Sequence, residues 1–130
     1  MMQLSTNKND NVLSSNERAR YKRHLSLDGF GEEGQIRLKN SSVIFIGAGG
    51  LGSSAIMYIA AAGIGKIGIV DNDKVEISNL QRQVIHNNSE IGNYKTDSAE
   101  KRIKELNPHC KVETFTTRIN IKMPLIYSVI

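Results

Sequence analysis

The stretch that decides the fold is VIFIGAGGLGSSAIMYIAAAGIGKIGIVD, residues 43–71. Residues 43–46 form a compact β-branched and aromatic run without a polar position, the pattern of a strand buried on both faces. The turn GAGGLG follows. SSAIMYIAAAG then reads as an apolar helix rich in small residues, ending at Gly63 or Gly65. Residues 66–70, KIGIV, give a second buried strand, closed by Asp71. Downstream, residues 72–93 have no regular period. A helix is predicted from Lys95 to Leu106, stopped by Asn107-Pro108, and residues 111–116 alternate polar and apolar as a third strand. The β-α-β-α-β order predicts an α/β, Rossmann-like parallel sheet with flanking helices.

Upstream, residues 1–13 are a polar lead without periodicity, expected to be mobile. Ser14 and Glu17 have capping-box spacing, so SSNERARYKRHLSL reads as a short helix with Tyr21 and Leu25 on one face. DGFGEEG, residues 28–34, is rich in turn formers and reads as a loop. A second short helix is predicted over residues 33–39. One domain, residues 14–130, is therefore expected. A complete Rossmann-type domain carries a second half of similar size, so the chain is expected to hold only the first half. The closing MPLIYSVI reads as the start of a helix or of another strand.

Composition narrows the function classes. The 130 residues are 39% hydrophobic and 23% charged, ordinary for a globular protein. No apolar run approaches the ~20 residues of a bilayer span, and the polar N-terminus lacks a secretory apolar stretch. With one cysteine, Cys110, neither an internal disulfide nor a Cys-cluster metal site is possible. A reducing compartment, cytoplasmic or plastid, is the expectation. Of the net charge of +4, residues 1–24 carry +3. One short basic cluster with few aromatics does not fit a nucleic-acid binder, which spreads cations along a groove.

Gly47, Gly49 and Gly52 make G-x-G-x-x-G between a predicted strand and a predicted helix, and Gly50 extends the bare backbone. Glycines there let the chain turn and let its amides approach a phosphate at the helix N-terminus. Asp71, 19 residues after Gly52, sits where a carboxylate accepts from ribose hydroxyls. That placement fits NAD, FAD or ATP equally. Asp73 reads as a surface residue. SNLQRQ, residues 78–83, tips the balance toward a triphosphate. Arg82 can make a bidentate phosphate contact, Asn79 can donate its amide, and Lys95 can reach the same phosphates as a point charge. His24, His86 and His109 lack metal-ligand spacing and read as structural or surface residues.

RYKRH (residues 20–24), the run from Val43 to His86, and IGNYKTDSAEKRIKELNP (residues 91–108) resemble the ThiF/MoeB/ubiquitin-activating (E1-like) family in order and spacing, nearest its MoeB type. The resemblance covers residues 14–112. It implies an enzyme that binds ATP and Mg²⁺, adenylates the C-terminal Gly-Gly carboxylate of a ubiquitin-like sulfur carrier, and releases pyrophosphate. It implies that Gly50 contacts the nucleotide and Asp71 its ribose. Ser78, Asn79, Leu80, Gln81 and Arg82 form the phosphate-side segment, with Lys95 a phosphate ligand. Arg23 matches an arginine that family homodimers insert into the neighbouring site. Arg23, Asn79, Arg82 and Lys95 are thus the expected catalytic members. The family's magnesium-binding Asp and the two C-x-x-C pairs of its structural zinc site have no counterpart in this sequence. Two alternatives stay open: a non-catalytic ATP-binding module, and an NAD-dependent oxidoreductase half-domain.

Overall fold

The computed structural model describes residues 11–119. The elements run α1 (Ser15–Arg20), α2 (Lys22–Leu25), α3 (Gly31–Lys39), β1 (Ser42–Ile46), α4 (Gly50–Ala62), β2 (Lys66–Val70), α5 (Lys95–Leu106) and β3 (Lys111–Phe115). The strands form one parallel sheet in the order β1-β2-β3. Ser42 pairs with Lys66 and Lys66 with Lys111, so Ile46, Val70 and Phe115 end at a common edge. Two successive crossovers of the same hand place α4 and α5 on one face. There Ile56 and Ala60 of α4 and Ala99 and Ile103 of α5 close over Ile67 and Ile69, all fully buried. No helix among the described residues is long and apolar enough to cross a membrane.

The second strand and the helix from Lys95 have the expected bounds, and the third strand ends one residue early. The first strand departs from expectation. It lies at the sheet edge among the described residues, so Val43–Phe45 are only half-buried and Ile46 is 62% exposed. An all-apolar run records hydrophobicity, not the number of neighbours the strand will have.

The N-terminal region needs three corrections. The capping box is present: Ser14 Oγ accepts from the Glu17 amide at 3.2 Å, and Glu17 Oε2 accepts from the Ser14 amide at 2.7 Å. The expected single helix, however, breaks at Tyr21. This residue turns inward, 4% exposed, and its hydroxyl accepts from Asn107 Nδ2 at 2.8 Å. The DGFGEEG segment is only partly a loop, because α3 starts at Gly31 with Phe30 packed over Gly34. Leu13, placed in the mobile lead, is buried. Residues 1–10 and the MPLIYSVI segment lie outside the described residues.

Cys110 is a buried free thiol just before β3. Burial pushes its pKa up from 9.0 to about 11. The folded protein should therefore resist a thiol-disulfide reagent at pH 8 and react at the free-thiol rate once unfolded. Because the folded thiol holds its proton longer than the unfolded one, its contribution to stability is complete below pH 9 and is lost as pH rises toward 11. Denaturant melts from pH 8 to 11 on wild type and Cys110→Ala check this: the decline should be steeper in the wild type.

Candidate functional site

The site is built at the C-terminal edge of the sheet, where open α/β folds place their ligands. Gly47 leaves β1 with φ +98°, a left-handed conformation open to glycine, while its amide donates to the Val70 carbonyl at 2.8 Å. A side chain at Gly52 would run into the Gly47 carbonyl, so the turn closes directly on the first turn of α4. Gly49 caps α4, which begins at Gly50 instead of the expected Ser53. A side chain at Gly47 would meet nothing within 4 Å. The turn therefore borders open space on one side and tight packing on the other.

Residues 79–86 lie behind this turn as a strap. The Arg82 side chain passes Gly50, its Cδ and Nε 3.9 Å from where a methyl there would sit, and Nη1 donates to the Ser78 carbonyl at 3.1 Å. Gln83 is 3% exposed and lies against Gly49, with its Oε1 buried and unpartnered. Ile85 donates its amide to Ser53 Oγ at 2.8 Å. His86, also buried, reaches the Ala48 carbonyl with Nε2 at 3.1 Å and Ser98 Oγ with Nδ1 at 2.8 Å. Burial holds its pKa below the usual imidazole range, and nearby Lys95 pushes the same way. Asn79 Oδ1 accepts from the Glu76 amide at 2.9 Å, which leaves its amine as a donor. Leu80 is half-buried, and Ser78 and Gln81 are exposed in the same turn.

Asp71 follows β2 and braces the glycine turn: Oδ2 accepts from the Ala48 amide at 2.8 Å and Oδ1 from the Asp73 amide at 2.8 Å. Asp73 lies at the surface, as expected, and its Oδ2 also sits 3.4 Å from Lys95 Nζ. The Lys95 side chain is only 8% exposed, and its amide donates to the Asp73 carbonyl. A cleft of about 350 Å³ opens beside Asp71 between Gly47, Asn72, Asp73 and Arg118. Arg118, which donates from Nε to Asn72 Oδ1 at 3.3 Å, went unread in the sequence. Its signal was positional: a cation just past the C-terminal end of a parallel strand. Among the described residues no three His, Cys, Asp or Glu side chains gather to hold a metal ion.

Arg23 is not brought to this place. Its helix packs near the far end of α4, where Tyr21 meets Gly63 and Gln35 Nε2 donates to the Ala62 carbonyl. The thirteen residues of α4 put roughly 20 Å between that end and the glycine turn. The N-terminal helices are also tied to the rest of the domain. Arg20 donates to the Leu106 carbonyl at 2.9 Å, His24 bonds Gln35 at 2.8 Å, and Arg18 pairs with Glu32.

Parallel strands, a glycine turn and a helix N-terminus at the open edge define a Rossmann-like domain. The chain belongs to the ThiF family, whose pattern matches residues 21–129. It is 52% identical over 115 residues to the adenylyltransferase and sulfurtransferase UBA4 of Candida albicans, covering 88% of this chain and 26% of that protein. It is 55% identical over 106 residues to a probable molybdopterin-synthase adenylyltransferase of Porphyra purpurea, covering 82% and 28%. The chain thus spans about a quarter of the length of these curated relatives. Among solved structures it resembles PaaA (TM-score 0.79, 33% identity, 92% of this chain and 38% of that one). It also resembles Escherichia coli tRNA N6-threonylcarbamoyladenosine dehydratase, TcdA, in complex with ATP (TM-score 0.78, 29% identity, 84% and 44%).

Proposed function

We propose that this chain is part of an ATP-dependent adenylyltransferase acting on the C-terminal Gly-Gly carboxylate of a ubiquitin-like sulfur carrier. The observation that carries the reading is the strap that lays Arg82 along Gly50 at the mouth of a glycine turn, with Lys95 held beside the same edge by Asp73. An open turn flanked by two cations suits a triphosphate better than a dinucleotide. A structural neighbour solved with ATP supports the same choice.

In this reading the glycine amides and the α4 N-terminus receive the phosphates, and Asp71 and Arg118 border the cleft for ribose and base. The carrier carboxylate attacks the α-phosphorus, the bond to the β,γ-diphosphate breaks, and pyrophosphate leaves with the negative charge. Arg82, Lys95 and the Asn79 amine stabilise that charge because they are fixed before it develops. Magnesium, supplied with ATP, would neutralise phosphate oxygens. Asp73, exposed but already paired with Lys95, does not by itself make a metal site among the described residues.

The partner copy enters through Arg23, which lies too far from its own site to serve it. Self-association is supported by the apolar surface around α4, where Leu51 is 91%, Tyr58 79% and Val84 56% exposed. In a homodimer this surface would be covered and Arg23 delivered to the neighbouring phosphates.

Titration with ATP and with NAD tests the reading: ATP should bind and NAD should bind far more weakly, and a clear preference for NAD overturns it. Carrier-driven exchange of pyrophosphate into ATP by the 130-residue chain alone should stay near background. Robust exchange would mean that Asp73 serves as the magnesium carboxylate, a role Asp73→Asn would then abolish.

A further inference from the structure

We propose that His86 is a positioning residue for the phosphate-binding turn, holding the Ala48–Gly49 peptide so that the Gly49 amide faces the nucleotide. The inference rests on the ATP reading above and adds to it a residue outside the phosphate-side segment.

Two consecutive peptide groups of the turn are gripped by side chains from different parts of the chain. The Gly47–Ala48 peptide gives its N–H to Asp71 Oδ2 at 2.8 Å. The next peptide offers its carbonyl, at Ala48, to His86 Nε2 at 3.1 Å. A carbonyl only accepts, so Nε2 carries the proton and Nδ1 is left to accept from Ser98 Oγ–H at 2.8 Å. Both nitrogens are thereby satisfied in the neutral imidazole, and the ring is 5% exposed. In a trans peptide the carbonyl and the N–H point in opposite directions. With the Ala48 carbonyl fixed toward the imidazole, the Gly49 N–H is turned away from it.

The clamp matters because the sequence around it resists nothing. Glycines at 47 and 49 flank the segment, and glycine backbones cross between conformations at little cost. A flipped Ala48–Gly49 peptide would present its carbonyl oxygen to anionic phosphates. His86 removes that alternative. Through Ser98 it also ties the turn to α5, three residues beyond Lys95 in the same helix, so amide donors and ammonium are set in one register.

The test compares wild type, His86→Leu and His86→Gln in three measurements: thermal melting, amide hydrogen exchange of the glycine turn, and binding of ATP and adenosine. His86→Leu should speed exchange at Ala48 and Gly49. It should weaken ATP by about 3- to 10-fold, the loss expected of one hydrogen bond, and leave adenosine, which has no phosphates, unchanged. His86→Gln keeps an amide donor for the Ala48 carbonyl and should recover most of the ATP affinity. Equal losses for ATP and adenosine, or no loss for either, would overturn the proposal. If His86→Leu does not fold, Ser98→Ala takes its place, with a smaller loss confined to ATP expected and an unchanged ATP affinity counting against it. Failure of the wild type itself to bind ATP would instead remove the ATP reading and the phosphate role of His86 with it.

Discussion

Arg82→Ala should weaken ATP binding by about 1.5–3 kcal/mol, roughly 10- to 150-fold, the range for a hydrogen bond to a charged group. Stability should hardly change. Arg82 is exposed, and among the described residues its side chain bonds only the Ser78 carbonyl, so the Tm should stay within the small range typical of surface substitutions. Calorimetric titration paired with a melt separates the two effects. The same variant tests the proposed dimer. In a longer form of the protein with measurable turnover, Arg82→Ala mixed with Arg23→Ala should partly restore activity. Each mixed dimer has one site with both residues and one with neither. Confirmed mixed dimers without recovery would place Arg23 outside the neighbouring site.

Asn107→Ala should be the most destabilising of these changes, by about 2–4 kcal/mol. Asn107 is fully buried. Its Nδ2 donates to the Tyr21 hydroxyl and to the Ala60 carbonyl, both at 2.8 Å, and Oδ1 accepts from the His109 amide at 3.2 Å. Alanine would strand a buried hydroxyl and release α1 and α2 from the body. A fall in Tm of roughly 10 °C or more follows, and Tyr21→Phe, which loses only one of these bonds, should cost less. If Arg23 acts from the N-terminal helices, Asn107→Ala should also reduce turnover in the longer form below its unfolding range. Equal thermal stability of Asn107→Ala and wild type would refute the network.

Much of this protein was determined locally in its sequence. KIGIV, bounded by Gly65 and Asp71, could only be a buried strand, and the helix from Lys95 to Leu106 is bounded by its own apolar period and by Asn107-Pro108. The glycine spacing prescribed a turn before a helix because only glycine tolerates Gly47's φ of +98° and the approach of Gly52 to the Gly47 carbonyl. These outcomes depend on near neighbours, so period and residue type suffice to read them.

What the tertiary structure decided depends on contacts between residues far apart in the chain. Phe45 and Ile46 do not record that, among the described residues, their strand lies at an edge. Tyr21 breaks its helix because a partner 86 residues away fixes its hydroxyl. Asp71 and Asp73 read as a ribose ligand and a surface residue. Only folding reveals that Asp71 also braces Ala48 and that Asp73 holds Lys95. His86 ends the run that resembles the family, but its role is not written there, since its partners Ala48 and Ser98 lie 38 residues before it and 12 after it. A hydrogen bond is satisfied by whichever donor or acceptor the fold delivers, and sequence spacing does not encode that delivery.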